Sequence, residues 1–390
     1  MKFRIKNKIK KNSKVLIIKI LGKEMSNLKR SYIREILDAT NEDTISFAGG
    51  LPNEKLFPLK QIKKATNKVL KKVDALQYSK SIGDEALRKK IAKIYTQKFD
   101  FPTHPDEILI TTGSQQSFDI ISKTFIHKEL FVQKPTYIGA LGAFKILNKS
   151  LNDFTDTQSL KAKISEDDTL YLMSDFSNPT SKCMSLKERL IFASLLKQSG
   201  AYLIEDGAYG LLSFNGKTRK QIASLYEKSF HLGSFSKIVA PGLRVGWIRT
   251  SKENIEKLLI AKESLDLHTS TLSQMIINQY LEDNDLFEHI KLIRKEYKSK
   301  MNYMAKCMEE YLPSFKFEKP KGGMFIYGKF EEDSLELAKK ALEKNVAFVP
   351  SCVFDINEEK STHARFNFTN SSKSQMKAGI KTIAKILNKD

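Results

Sequence analysis

The stretch 169-TLYLMSDFSNPTSKCMSLKERLIFASLLKQSGAYLIED-206 decides the fold. Two short apolar runs, 169-TLYLMS-174 and 201-AYLIE-205, flank a segment with the marks of a helix. Ser185 and Glu188 form a capping box, apolar residues recur at helical spacing through 185–200, and Gly200 suits the position just past a helix end. Strand, helix, strand with apolar strands predicts an α/β protein with a mostly parallel sheet.

The same alternation extends outward from about residue 60 to 250. Further strands are expected at 107-EILITT-112, 129-ELFV-132, 229-SFHLG-233 and 244-RVGWIR-249. Beyond 250 the pattern changes to long helical stretches through about 310. A β-rich set follows at 314-SFKFEK-319, 323-GMFIYG-328, 346-VAFVP-350 and 364-ARFNFT-369, with a last helix near 372–388. The expected division is a basic extension at 1–24, an N-terminal arm near the active site at 25–59, a large domain at 60–295 and a smaller α+β domain at 296–390.

The 390 residues are 41% hydrophobic, enough for a sizeable core. The net charge of +21 would suit an anionic partner, but it is unevenly placed. Residues 1–24 hold nine Lys or Arg against one Glu, and the remaining excess is spread over the body as solvated lysines. That tail reads as a disordered basic extension, or as upstream sequence with Met25 the working start. Its apolar patch VLIIKIL is interrupted by Lys19 and is followed by no small-residue cleavage site, unlike a signal peptide. No run approaches a membrane span. Cys183, Cys307 and Cys352 suggest neither a disulfide framework nor a metal knuckle, and the six histidines lack metal-ligand spacing. A cytoplasmic protein without a bound metal, membrane or nucleic acid is expected.

In open α/β sheets ligands bind beyond the carboxyl ends of the strands. Four such ends carry suggestive groups. The turn 112-TGSQQSFDI-120 opens a helix whose free N–H groups suit a phosphate. Asp206 is either a turn former or a carboxylate for a protonated ring nitrogen, with Tyr209 near the same ring. Asn178-Pro179 is a turn or a site element. In 232-LGSFSKIVAPGLRVGW-247, Lys237 stands among Ser234, Ser236 and Arg244, which are phosphate-binding types. A nucleophilic lysine benefits from burial and nearby positive charge. Among 66 basic residues a lysine near an arginine means little alone; the order of these strand-end elements gives it weight.

Together the elements resemble the fold-type I pyridoxal-phosphate aminotransferases of class I/II, within them the 2-aminoadipate/kynurenine branch. The resemblance runs from Ser31 to the C-terminus. It is carried by 31-SYIRE-35, 46-SFAGGLPNEKLFP-58, 76-LQYSKSIGDEALR-88, 111-TTGSQQSFD-119, 135-PTYIGAL-141, 178-NPT-180, 205-EDGAY-209, 233-GSFSKIVAPGLRVGW-247, 265-LDLHTS-270, 320-PKGGMF-325 and 365-RFNF-368. It implies a large domain with a seven-stranded, mostly parallel sheet between helices.

The resemblance also implies roles. Lys237 carries pyridoxal 5′-phosphate covalently and later moves a proton between the substrate Cα and C4′ of the cofactor. Asp206 keeps the ring nitrogen protonated, Tyr209 and Asn178 bond the phenolic oxygen, and Tyr137 stacks on the ring. Ser114, Gln115, Ser234, Ser236 and Arg244 hold the phosphate. Tyr78 reaches the phosphate of a neighbouring subunit and 268-HT-269 lies near the interface, which implies a homodimer with shared sites. Arg365 grips the substrate α-carboxylate by two-point pairing. Gly50 lets the N-terminal segment pass close to the substrate. Arg34 meets a distal carboxylate, or else is a helix-surface arginine paired to Glu35 or Asp38.

The implied reaction moves an amino group from an L-amino acid of 2-aminoadipate, glutamate, aromatic or aliphatic type to a 2-oxo acid, 2-oxoglutarate, in a ping-pong cycle. Two rivals are a β-eliminating lyase on the same scaffold and a non-enzymatic regulatory domain, the latter disfavoured by the 45 residues before 46-SFAGG-50. Gln133, Ser181 and Ser351 depart from the family pattern, the last two replacing glycines. Both serines are expected to sit on backbone that favours glycine.

Overall fold

The computed structural model describes residue 36 and residues 41–147 and 150–388, so the basic extension and Arg34 lie outside the described residues. In chain order the first strands are β1 (Ile45–Ser46), β2 (Ile108–Thr111), β3 (Leu130–Gln133), β4 (Leu151–Phe154), β5 (Thr169–Leu172), β6 (Tyr202–Asp206), β7 (Ser229–Ser234) and β8 (Gly246–Arg249). The later ones are β9 (Lys316–Phe317), β10 (Phe325–Lys329), β11 (Val346–Ala347), β12 (Val349–Pro350) and β13 (His363–Asn367). The helices up to β6 are α1 (Leu59–Val69), α2 (Glu85–Lys98), α3 (Ser114–Thr124), α4 (Ile138–Ile146), α5 (Thr157–Lys161) and α6 (Leu186–Ser199). After β8 come α7 (Lys252–Asp266), α8 (Thr271–Asp283), α9 (Leu286–Tyr311), α10 (Ser334–Glu343) and α11 (Lys373–Leu387).

Seven strands form one sheet in the order β2-β8-β7-β6-β5-β3-β4. β8 is antiparallel to both its neighbours, and every other pair is parallel. All strands except β8 therefore point the same way, and their carboxyl ends share one edge. Alternate residues feed two different cores: Tyr171 and Ile204 pack with one, Leu170, Leu172 and Leu203 with the other. Both faces are covered, which is why these strands read as apolar runs rather than alternating ones.

The α6 signals translate directly into geometry. The Ser185 hydroxyl accepts from Glu188 N–H, the Glu188 carboxylate accepts from Ser185 N–H, and Gly200 ends the helix at φ 74°. β4 was not expected from sequence. Its residues, LNDF, are mostly polar and only partly buried because it is the sheet's edge.

The β-rich C-terminal region forms a four-stranded antiparallel sheet, β12-β13-β10-β9. The run 346–350, read as one strand, divides between two sheets: β11 pairs in parallel with β1, and β12 joins β13. The segment after β1 is bound to the same region, since Asn367 N–H donates to Phe47 O at 2.8 Å. Among the described residues no helix is long and apolar enough to cross a membrane.

Candidate active site

The shared strand edge brings together four segments distant in sequence: 112–115 after β2, 174–178 after β5, 206–209 at the end of β6, and 234–237 after β7. Segments 48–50 and 365 approach them, as Lys237 Nζ donates to Gly50 O at 2.9 Å and Arg365 Nη1 to Asn178 Oδ1 at 2.7 Å.

At one end is an anion cradle. Gly113 precedes α3 at φ 82°, and no side chain caps the helix, so its first N–H groups remain available. A Cβ on Gly113 would lie 2.4 Å from Arg244 Nη2, so glycine is what lets the guanidinium close on the helix start. Arg244 itself has φ 53° and donates from Nη2 to Thr112 O at 3.0 Å. The Ser234 hydroxyl accepts from Ser236 N–H at 3.1 Å and bonds the Ser236 hydroxyl at 2.9 Å. Gln115 is exposed and donates to Gly139 O at 3.1 Å. Next to it, Tyr137 caps α4 and folds over Gly139, where a Cβ would come within 2.4 Å of the ring.

Asp206 lies under this site with only 2% exposure. It accepts from Ala208 N–H at 3.1 Å and from the Tyr171 hydroxyl at 3.3 Å. It is thus both the turn former and the buried carboxylate, two readings the sequence left open. Burial raises its pKa to about 6, against the lowering effects of Ala208 N–H, the Tyr171 hydroxyl and Lys237. A cationic ring nitrogen would supply the missing compensation.

Lys237 ends a short 3-10 turn, Phe235–Lys237, directly after β7. Burial, then the positive charges of Arg365 and Arg244, lower its ammonium pKa to about 8. The amine is therefore far closer to its nucleophilic form than an ordinary lysine.

Arg365 is fully buried on β13, between β12 and β10. Its guanidinium carbon lies 4.3 Å from the Phe325 ring centroid and 5.0 Å from that of Phe354. Nη2 donates to Ala48 O, Nη1 to Asn178, and Nε has no partner. Burial lowers its pKa to about 10, leaving it cationic at neutral pH. Asn178 is 3% exposed and Tyr209 4%. The Tyr209 ring stands edge-on to Phe325 at 6.0 Å, and burial, followed by the charge of Tyr137, pushes its hydroxyl well above the usual range.

Tyr78 stands apart from these groups at 80% exposure, its ring edge-on to His268 at 5.7 Å. A Cβ on Gly50 would meet only Phe325, at 3.6 Å, an ordinary contact distance, so local space does not require glycine there. Ser181 does occupy glycine-favouring backbone, at φ 52°, and its hydroxyl donates to Phe325 O at 2.8 Å. Ser351 does not: it is absent from the positive-φ positions, opens a 3-10 turn and bonds the Tyr327 hydroxyl at 2.6 Å. The expectation of strained backbone there is corrected, because the turn needs no left-handed residue. Sequence reasoning overlooked Tyr171, Phe325 and Phe354. Tyr171 had one signal, a polar-tipped side chain inside an apolar strand.

The family model "Aminotransferase class I and II" matches residues 43–383, and the chain belongs to this family. Its relatives include aromatic-amino-acid aminotransferase 1 of Thermococcus litoralis, 35% identical with 95% of each chain covered. The 2-aminoadipate transaminase of Thermus thermophilus is 32% identical over 94% of this chain and 96% of its own. Among solved structures, LysN, an alpha-aminoadipate aminotransferase from Thermus thermophilus complexed with N-(5′-phosphopyridoxyl)-L-leucine, matches with a TM-score of 0.86 at 30% identity. That match covers 94% of this chain and 97% of the other. The protein is an amino-acid aminotransferase of fold type I, and its cofactor is pyridoxal 5′-phosphate. The site fits that cofactor: an anion cradle, a buried carboxylate lacking a full complement of cations, and a lysine of lowered pKa.

Proposed function

We propose that Lys237 is the residue that carries the cofactor and moves the substrate proton, and that Arg365 binds the α-carboxylate of amino and oxo acid alike. The carrying observation is a lysine with its pKa lowered to about 8, partly by the same arginine that would bind the substrate. Ser114, Gln115, Ser234, Ser236 and Arg244 would hold the phosphate, Asp206 the ring nitrogen, Asn178 and Tyr209 the phenolic oxygen, and Tyr137 the ring face. Bound there, pyridoxal phosphate supplies an electron sink that stabilises negative charge at the substrate Cα and retains the amino group for the second oxo acid. Lys237 Nζ takes the proton from Cα once it is free of the cofactor. Arg365 fixes the carboxylate at two nitrogens, so the Cα–H bond is oriented before it breaks. Its Nη1 is already on Asn178 Oδ1, which couples substrate binding to a cofactor contact.

The amino acids we propose are 2-aminoadipate, glutamate and aromatic or aliphatic types, with 2-oxoglutarate as acceptor. Support comes from the named activities of the relatives, which span aromatic and aminoadipate substrates. Arg34 would read a distal carboxylate. The active species would be a cytoplasmic homodimer, in which Tyr78 reaches the phosphate of the neighbouring subunit and Gly50 lets the N-terminal segment pass close to the substrate. Exposed Tyr78 has the reach to serve another subunit's site.

The test is a panel of amino donors with 2-oxoglutarate. Wild type should form glutamate from acidic and neutral donors, and Arg34→Ala should lose acidic donors selectively. Equal losses would remove Arg34 as the reader. Lys237→Ala should abolish both turnover and the visible band of the covalently held cofactor; a surviving band would overturn the assignment. Pyruvate release from cysteine-type substrates without transamination would favour elimination instead.

A further inference from the structure

Lys262 is the one lysine with 0% exposure among the described residues, and the roles above make no use of it. It projects from α7 toward the turn before α3, and its ammonium donates three times. The acceptors are Asp266 Oδ1 at 2.8 Å, Gln116 Oε1 at 3.2 Å and Thr269 Oγ1 at 3.3 Å. Each of these three groups also holds Thr112. Gln116 Oε1 accepts from Thr112 N–H at 2.8 Å, Asp266 Oδ2 accepts from the Thr112 hydroxyl at 3.0 Å, and Thr269 Oγ1 meets that hydroxyl at 3.2 Å. Arg244 takes the remaining group, the Thr112 carbonyl. Thr112 is thus fixed at every polar atom, and it directly precedes Gly113 and the helix start that form the anion cradle.

The charge balance makes the arrangement specific. A carboxylate, Asp266, sits one hydrogen bond from the cradle, where it would repel a phosphate. A buried cation directly on that carboxylate cancels the repulsion and keeps Asp266 ionised, with its pKa below the ordinary value despite the opposing effect of burial. Losing Lys262 would free the negative charge and also remove one of the two donors that hold the Gln116 Oε1 acceptor of Thr112 N–H. Both effects act on the phosphate end of the site and neither on the ring end.

We propose that Lys262 is a positioning residue of the cofactor-phosphate cradle, acting through Asp266, Gln116 and Thr269 on Thr112 and neutralising a carboxylate that would otherwise repel the phosphate. The proposal rests on the assignment of the cradle made above. It predicts a defect selective for the phosphate group.

The test compares binding of pyridoxal phosphate and of pyridoxal, which lacks the phosphate, to cofactor-stripped full-length protein by absorbance titration. Lys262→Met should weaken pyridoxal phosphate by about tenfold or more, the equivalent of about 1.4 kcal/mol, while changing pyridoxal less than about twofold. Inorganic phosphate should compete less well than with wild type. Lys262→Met combined with Asp266→Asn, which removes the cation and the anion together, should recover most of the lost affinity. Circular dichroism and melting establish that each variant is folded. If Lys262→Met does not fold, the charge argument is carried by Asp266→Asn alone, which should bind pyridoxal phosphate as tightly as wild type or more tightly. Equal losses for both ligands, a double variant no better than the single, or an Asp266→Asn variant that binds pyridoxal phosphate more weakly would overturn the proposal. If wild type binds neither ligand, it is the cradle assignment that fails.

Discussion

Lys237 shows what a residue's surroundings add to its type. An isolated lysine at pH 7 is neutral in fewer than one molecule in a thousand, whereas one with a pKa near 8 is neutral in about one in ten. In the role proposed for Lys237 the neutral amine is the form that would attach to the cofactor, so attachment should accelerate as pH rises and level off above about pH 8. Stopped-flow loading of cofactor-stripped protein checks this; a midpoint near that of free lysine would contradict it. The sign for stability agrees, because the unfolded lysine keeps its proton up to about pH 10.5. Between about 8 and that value the folded form holds fewer protons, so this group favours folding more as pH rises. The order of strand-end elements singled out Lys237 and Asp206, and the resemblance carried by 365-RFNF-368 singled out Arg365. Sequence could not show that Arg365 depresses the Lys237 pKa, since 128 positions of chain and a second sheet separate them. Phe325 and Phe354 escaped notice for a similar reason: an aromatic that packs on a guanidinium has the same pattern as one that packs on leucine.

At the scale of the element, α6 was readable to its ends because both ends are encoded locally, by Ser185, Glu188 and Gly200. What α6 does for the site was not readable. Its Arg189 is fully buried, pairs with Asp175 at 2.7 Å and donates to the Ser174 carbonyl at 3.0 Å. Asp175 also accepts from Gln221 at 3.0 Å, and Gln221 bonds His231 at 3.1 Å. His231 in turn bonds the Tyr95 hydroxyl at 2.6 Å, and burial keeps its ring neutral, with a pKa near 3. A buried polar chain thus runs from α6 through the loop bearing Asn178 to β7. Removing one member leaves an uncompensated buried charge, so Arg189→Met should cost about 3–5 kcal/mol of stability in urea titration. A loss under about 1 kcal/mol would show that the loop is held by its other contacts. β4 gives the opposite lesson: an edge strand buries too little to leave an apolar signature.

Over the whole molecule, Leu59, Leu70, Val73, Leu76 and Tyr78 form an apolar series on α1 and the residues after it, each between 53% and 84% exposed. The homodimer proposed above would supply a covering subunit for these exposed residues. Val73→Asp with Leu76→Asp should convert the proposed dimer to monomers in light scattering and reduce activity; an unchanged mass would count against an interface at this patch. The strap formed by residues 45–51 carries a different consequence, one of timing. Ala48 and Leu51 are bonded to Arg365 and Thr369, across separations of 317 and 318 residues. At a synthesis rate of about 5–20 residues per second, the strap waits roughly 15 to 60 seconds on the ribosome for its partners. The seven-stranded sheet ends at Arg249 and is fully synthesised long before then. On the roles proposed above, the newborn chain has the lysine that would carry the cofactor well before it has Arg365, the residue that would bind the substrate, so the last tenth of the chain would turn a cofactor-binding protein into a transaminase.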